Sequence, residues 1–324
     1  MMTEPIVLDV HAHLIPVDEA GLANIADVSW DGDNRVMTID GHKVGIKTIY
    51  DPLALLKWMA ANQVEHAYVS APPPAYRQQL QGEAASAWFR YLNDGLLRVC
   101  GAANGKLTAL LHLPTEHPAL AVDILRKSTA SGHRFFAMPA GTGDSRTLSD
   151  PAFIPLWEAL DAARSFVFFH PGECADGRLK SFYLTNLLGN PYESTVALAH
   201  LMFDGIFDRY PGMTTCFAHG GGLLPMVAGR FQRGADTARP GLENAAAPVA
   251  AHPNVFVDCI CHSEAAAIHA EATFGADKVI FGSDWPFPMG IMEPAEQLAI
   301  FAPERRFAYV ATNPNLLKRK LFEE

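Results

Sequence analysis

The chain has 324 residues, of which 49% are hydrophobic and 19% charged, with a formal net charge of −10, which is typical of a globular protein with a sizeable core. It lacks the basic stripe of a nucleic-acid-binding protein, and no apolar run reaches the roughly 18 residues of a membrane span. Five irregularly spaced cysteines indicate no disulfide framework and the N-terminus shows no secretion signal, so we expect a cytoplasmic protein without nucleic-acid or membrane partners.

Short apolar runs alternate with helical patterns along the chain. Most of the runs lack the strict alternation of a half-exposed strand, which predicts parallel strands buried on both faces. The predicted strands are residues 5–10, 65–70, 107–113, 133–138, 165–169, 213–217, 254–260 and 278–282. Apolar residues at three- and four-residue spacing predict helices most clearly at residues 53–62, 119–131, 153–163, 192–210 and 263–274.

This alternation predicts the α/β class and a (β/α)8 TIM barrel rather than an open doubly wound sheet. No repeat or linker divides the chain, so we expect one domain over residues 1–324. Residues 16–49 follow the first strand with little periodicity. A loop of this length is usually functional when it is ordered, so we expect a small insertion near the active site, with a disordered surface excursion as the alternative.

Histidines and a carboxylate follow several strands at the end where barrel enzymes place their active sites. The first strand ends in His11-Ala12-His13, and side chains two apart on a strand point the same way. His170, His219 and Asp284 follow the fifth, sixth and eighth strands. Imidazoles with a carboxylate indicate a divalent metal, zinc first, with manganese, cobalt or iron as alternatives.

Two further residues lie close to these strand ends. Asp9, on the first strand, could orient one of the histidines instead of taking a direct part in the chemistry. Of the histidines left over, His262, just past the seventh strand, is the best placed to line a pocket.

Six segments carry a resemblance to a known family. They are VLDVHAHLIP at 7–16, HP at 170–171, NPYESTVALA at 190–199, GIFDRYP at 205–211, FAHGGG at 217–222 and FGSDWPFPMG at 281–290. With these segments the chain resembles the amidohydrolase superfamily, in the branch of aminocarboxymuconate-semialdehyde decarboxylase and the aromatic-acid decarboxylases. The resemblance implies that one divalent metal, usually zinc, is bound by His11, His13, His170 and Asp284, with His219 catalytic beside it.

The number of metal ions is predicted from a difference between this chain and the wider superfamily. In the superfamily, a modified lysine after the fourth strand bridges two metals. The corresponding residues 136–140 read FAMPA and contain no lysine, which predicts one metal.

The resemblance implies non-oxidative decarboxylation of a small unsaturated or aromatic carboxylic acid, with His219 or Asp284 as the proton donor. A metal-dependent hydrolase of a lactone, amide or C–C bond, using metal-bound hydroxide, is the alternative. A catalytically silent barrel is a third hypothesis, which the complete set of ligands disfavours.

Substrate contacts are predicted on three segments. Arg230 matches a family arginine that reaches the neighbouring subunit's site, which implies a homodimer. Lys43 lies where close relatives carry a substrate-binding arginine; Lys47 is a nearby alternative, and a solvent-facing loop lysine is the other interpretation. We expect Trp285 and Phe287 to stack on a planar ring, with core packing as the alternative for Phe287.

One further departure concerns the residues after His170-Pro171. Close relatives of the semialdehyde decarboxylase have Trp-Asp there, whereas this chain has Gly172-Glu173. The pocket therefore differs, and aminocarboxymuconate semialdehyde is not specifically predicted as the substrate.

Overall fold

The computed structural model describes residues 4–142, 146–172 and 174–322. Within these ranges eight strands pair in parallel, each with the next along the chain. They are β1 Asp9–His13, β2 Ala67–Ser70, β3 Leu107–Ala109 continued by Leu111–His112, β4 Phe135–Pro139, β5 Phe166–His170, β6 Thr214–Phe217, β7 Val255–Asp258 and β8 Val279–Ile280.

The barrel closes between its first and last strands. The Val10 N–H donates to the carbonyl of Phe281 at 3.1 Å, and the His13 N–H donates to the carbonyl of Trp285 at 2.8 Å. These bonds confirm the predicted (β/α)8 barrel. β1 ends at His13, so both histidines of the His-x-His pair belong to the strand, as expected.

A helix of the outer layer follows each strand of the described barrel. These helices are α1 Pro52–Ala61, α2 Gly82–Gly101, α3 Pro118–Ala130, α4 Ile154–Ala162, α5 Asn190–Phe203, α6 Leu224–Asp236, α7 Glu264–Phe274 and α8 Asn313–Phe322. Shorter helices span Glu19–Leu22, Ile206–Arg209, Pro294–Gln297 and Pro303–Phe307. Side-chain caps start two of the long helices, because Asp51 accepts from the N–H of Leu53 and Ser263 accepts from the N–H of Ala266.

The predicted helix over 192–210 is wrong as a single element. The structure divides it into α5 and the short helix Ile206–Arg209. Gly205 between them has φ +66°, a left-handed conformation that glycine adopts readily and that ends a helix.

The insertion after β1 has a regular fold instead of the alternative disordered excursion. Its strands Val28–Asp31, Val36–Ile39 and His42–Val44 form an antiparallel sheet, which we call the insertion sheet. Arg77, after β2, donates to both carboxylate oxygens of Asp40 at 2.9 and 2.6 Å. This ion pair fastens the insertion sheet to the loops at the C-terminal end of the barrel.

The barrel interior is a packed core. Its largest side chains come from Tyr68, Phe135, Phe166, Phe168 and Phe256, all buried. Because these rings fill the interior, polar side chains are confined to the strand ends, as in other TIM barrels. Among the described residues, no helix combines the length and the apolar character that crossing a membrane requires.

Candidate active site

Four buried side chains from three parts of the barrel meet at its C-terminal end. His11 and His13 come from β1, His170 ends β5 and Asp284 follows β8. One potential ligand atom from each lies within 4.8 Å of the others. The Nε2 atoms of His11 and His13 are 3.0 Å apart, and Oδ1 of Asp284 lies 3.3 and 3.2 Å from them. The structure thus brings together the four residues predicted as metal ligands.

Hydrogen bonds on the far side of two imidazoles fix how the rings are protonated. Nδ1 of His170 lies 3.0 Å from the carbonyl of Pro171, and a carbonyl can only accept, so Nδ1 carries the hydrogen. Nδ1 of His11 lies 2.7 Å from the Asp258 carboxylate, which places a hydrogen there as well. The neutral form of each ring therefore turns the Nε2 lone pair toward the cluster, as metal-binding histidines require.

The cluster fits one divalent cation. Oδ1 of Asp284 is buried and makes no hydrogen bond of acceptable geometry within the described part of the chain, despite its short distances to the two imidazoles. Nδ1 of His13 has a partner in the hydroxyl of Ser70 at 3.1 Å, which leaves its Nε2 to face the cluster. Three imidazole nitrogens and one carboxylate oxygen are a donor set that suits zinc and its first-row neighbours.

The electrostatics of the cluster favour a positive charge. Burial lowers the pKa of His13 and, together with the other imidazoles, puts that of His170 well below its ordinary value. Burial alone would also lower the pKa of His11, but Asp284 and Asp258 raise it to about 10. Burial would raise the pKa of Asp284, but His11 and His13 hold it well below its ordinary value. Asp284 within the cluster and Asp258 behind the His11 ring are therefore both anionic, and positive charge at the cluster balances them.

Asp258 is a functional residue that the sequence analysis missed. Asp9, the residue considered for orienting a histidine, instead accepts from the N–H groups of His11 and Ser283 at 3.0 and 2.9 Å and from the Ser283 hydroxyl at 2.6 Å. Asp9 therefore joins β1 to the segment after β8, and burial raises its pKa to about 7. A search for carboxylates at the end of the seventh strand, of the kind made for the first, fifth, sixth and eighth strands, would have found Asp258.

His219 lies beside the cluster and outside the set of four. Its Nε2 is 3.9 Å from Oδ2 of Asp284, and its ring centre is 5.3 Å from that of His170. Nδ1 of His219 is buried without a hydrogen-bond partner among the described residues. The imidazole therefore has one nitrogen close to Asp284 of the cluster, while the other makes no hydrogen bond to any described residue.

A cavity of about 310 Å³ opens next to the cluster. His219 and Asp284 form part of its wall, and His262 lines it as expected from the sequence. Much of the remaining wall is apolar, from Leu187, Pro191, Pro225, Met226, Ile260 and Met289. A mostly apolar cleft with few polar groups is typical of a site for a small organic molecule.

The two aromatic residues predicted to stack on a substrate have different positions. Phe287 lines a second cavity of about 60 Å³ together with His170 and Asp284, and its ring centre is 5.5 Å from that of His13. Trp285 is only 4% exposed and packs in the core outside the lining of both cavities. The structure thus places Phe287, and not Trp285, at the site.

The predicted cationic contacts lie outside these cavities in the same chain. Lys43 is exposed on the insertion sheet. The pKa of Asp31 is lowered mainly by the hydrogen bonds that it accepts from Asn34, and to a smaller extent by the charge of Lys43. Arg230 is exposed on α6, four residues after Met226 of the cavity wall. Glu173 lies outside the described residues.

A closed (β/α)8 barrel with three histidines and an aspartate gathered at its strand ends defines a metal-binding barrel enzyme. Residues 8–324 match the family model described as amidohydrolase, and the chain belongs to that family.

Two curated relatives are 2-amino-3-carboxymuconate-6-semialdehyde decarboxylases. The one from Caenorhabditis elegans is 31% identical over 361 residues, which cover 91% of this chain and 89% of the relative. The one from Dictyostelium discoideum is 27% identical over 302 residues, covering 89% and 84%. These matches confirm the predicted branch of the superfamily and the predicted enzyme class, a carboxy-lyase.

The fold is shared with a crystal structure of 5-carboxyvanillate decarboxylase from Novosphingobium aromaticivorans, in complex with manganese and 4-hydroxy-3-methoxy-5-nitrobenzoic acid. It aligns with a TM-score of 0.75 at 17% identity, covering 100% of both chains. At this identity the similarity supports the fold alone.

Proposed function

We propose that this chain is a metal-dependent decarboxylase that removes CO2, without oxidation, from a small unsaturated or aromatic carboxylic acid. The observation that carries the proposal is the cluster of His11, His13, His170 and Asp284 at the wall of a mostly apolar cavity, with His219 beside it. The activity of the two curated relatives supports the same reaction class.

The four residues of the cluster would hold one ion. Their donor set favours zinc, with manganese, cobalt or iron as alternatives, and manganese is the ion in the related decarboxylase structure. When bound, such an ion polarises substrate oxygens and thereby stabilises negative charge that develops during the reaction. β4 offers no lysine to bridge a second ion, which supports a single one.

The protein's own groups supply position and a proton. The apolar wall of the cavity excludes water, and Phe287 is placed to contact a planar ring near His13. When the bond to the carboxyl carbon breaks, its electron pair stays on the substrate carbon and CO2 leaves. That carbon then takes a proton from His219 or, once it has itself accepted a proton, from Asp284, and no oxidant or reductant is required.

Release of CO2 from a panel of unsaturated and aromatic carboxylic acids tests the proposal, using protein loaded with zinc or manganese. We expect turnover of at least one acid, and none by a His13→Ala control treated in the same way. Hydrolysis of lactones or amides, with no turnover of any acid, would contradict decarboxylation and favour the hydrolase.

A homodimer with Arg230 at the neighbouring active site belongs to the same proposal. Arg230 is exposed on the helix that contributes Met226 to the cavity wall, and Met226 is itself 70% exposed. A partner that covers Met226 would bring its own residues to the cavity mouth. The mass in solution, measured by light scattering, tests the dimer. A role for Lys43 in binding the substrate stays a prediction, which the Michaelis constant of Lys43→Ala tests. Location in the cytoplasm also stays a prediction.

A further inference from the structure

Three non-glycine residues that follow consecutive barrel strands share an unusual backbone conformation. His219 after β6, His262 after β7 and Asp284 after β8 have φ of 56°, 54° and 57°. A left-handed conformation costs a non-glycine residue about 1 kcal/mol or more, and such strain clusters at functional sites. All three residues line the cavity of about 310 Å³. His262 therefore has the same placement as the two acid groups assigned above to the reaction.

A second imidazole reaches the same cavity from the helix that follows. Ala266 and His269 are three residues apart on α7, so they lie on one face of the helix, and both line the cavity. His262 and His269 are both exposed rather than buried in the core. Their ring nitrogens are thus available to a molecule in the cavity.

The charges of the cavity wall give these imidazoles a role. Among the described residues that line the cavity there is no lysine or arginine. Asn186 and Asn190 contribute neutral amides, and Asp284 contributes a negative charge at the cluster. Apart from His219, next to the cluster, His262 and His269 are therefore the imidazoles of the cavity wall, and their ring N–H groups can donate hydrogen bonds to an anion.

We infer that His262 and His269 bind a second acidic oxygen of the substrate, remote from the carboxylate that is lost. They thereby select acids that carry an additional carboxylate or phenolate over acids that carry none. The inference rests on the proposed function for the reaction, but the recognition itself is a binding property that can be measured without turnover.

Calorimetric titration of the zinc-loaded protein with benzoate and with benzene-1,3-dicarboxylate tests this inference. We expect the dicarboxylate to bind more tightly to the parent protein. His262→Ala and His269→Ala should each weaken its binding about tenfold or more, the effect of losing one hydrogen bond to a charged group. Benzoate binding should stay unchanged, and His269→Gln, which keeps an N–H donor, should retain most of the preference. His42→Ala, which removes an exposed histidine of the insertion sheet, is the matched control.

Three results would overturn the inference. One is equal affinity of the parent protein for the two ligands, or no binding of the dicarboxylate at millimolar concentration. Another is an equal loss of affinity for both ligands in the histidine variants, which would indicate a disturbed cavity. The third is loss of the preference in Arg230→Ala with its retention in both histidine variants, which would assign recognition to the neighbouring subunit. Failure to release CO2 from any acid would contradict the proposed function. The titration would still decide whether the two histidines bind the second acidic oxygen, because it does not depend on turnover.

Discussion

The carboxylate of Asp258 lies 2.7 Å from Nδ1 of His11, although the two residues are 247 positions apart in the chain. Both side chains are fully buried. The other carboxylate oxygen of Asp258 accepts from the N–H groups of Gly220 and Ile260, each at 3.0 Å. Asp258 therefore holds the His11 ring and the loop that carries His219 in a fixed relation.

The first prediction concerns the protonation of His11. In Asp258→Asn the carbonyl oxygen can still accept from the two backbone N–H groups, so its amide NH2 faces Nδ1 of His11. This arrangement favours the tautomer with hydrogen on Nε2, which cannot bind a metal. We expect about 10- to 100-fold weaker metal binding, the usual effect of losing such a partner, measured by competition with a chelator. Ser70→Ala, which removes a hydroxyl beside His13, is the control with a smaller expected effect.

The second prediction is that one ion binds per chain and that the four clustered residues hold it. Replacement of His11, His13, His170 or Asp284 by alanine should remove the metal and the activity together. Elemental analysis of the purified proteins measures both the stoichiometry and the loss. Two tightly bound ions per chain in the parent protein would contradict a site built from these four residues alone.

The third prediction separates His219 from the ligands. Because His219 lies beside the cluster and outside it, His219→Asn should keep most of the metal and lower kcat by about 100-fold or more, as expected for loss of a general acid. Asp284→Asn should lose metal as well as turnover. If His219→Asn keeps full turnover, the proton comes from Asp284 or another source.

The fourth prediction concerns the neighbouring subunit. If Arg230 acts across the interface of a dimer, both substitutions fall in the same site of a heterodimer formed by one Arg230→Ala subunit and one His219→Asn subunit. One site of each heterodimer then holds both intact residues, so we expect activity to return on mixing, to about a quarter of the parent value after random exchange of subunits. Mixed subunits that exchange but stay inactive would argue against a shared site.

The fifth prediction concerns stability in acid. Burial lowers the pKa of His112 to about 3 from its ordinary value of 6.5, so between these values the unfolded chain binds a proton that the folded chain does not. Stability contributed by neutral His112 is therefore complete above pH 6.5 and is lost as pH falls toward 3. The His112 ring packs between Phe89 and Tyr76, so His112→Phe keeps an aromatic ring there without titration.

Urea unfolding at pH 7 and pH 5 measures this effect. Each pH unit below the unfolded pKa contributes about 1.4 kcal/mol, so the free energy of unfolding should fall by about 2 kcal/mol less in His112→Phe than in the parent. His42→Ala, at an exposed histidine, should show the parent's pH dependence. Identical pH dependence in His112→Phe would mean that His112 does not remain neutral in the fold.

The parts of the structure that sequence predicted best are those with a strong local signal. Strands buried on both faces are continuous apolar runs, so all eight were found, and the residues that end them include the four clustered ligands. α2, α6 and α8 lay outside the helices that the sequence predicted most clearly. Gly95 has a tertiary role, since a Cβ there would lie 2.5 Å from the Pro16 ring, and no local pattern reveals that contact.

Long-range pairing explains what the sequence did not reveal. Asp9 and Asp258 are both aspartates at barrel strands, and only the folded barrel shows that one binds backbone N–H groups while the other binds an imidazole. The insertion sheet was missed because its strands have three or four residues each, too few for a clear alternation. Which residues complete the cavity likewise depends on packing of α5, α6 and α7 against the barrel.

The seam between β1 and the segment after β8 has a consequence for the order of events during synthesis. His11 and His13 leave the ribosome before the other strands, whereas Asp284, and the carbonyl groups of Phe281 and Trp285 that position β1, are translated only after all eight strands. A nascent chain that ends before this segment has neither the fourth ligand nor a closed barrel. Capture of the ion therefore follows translation of the segment after β8, and a product that terminates before this segment cannot retain it.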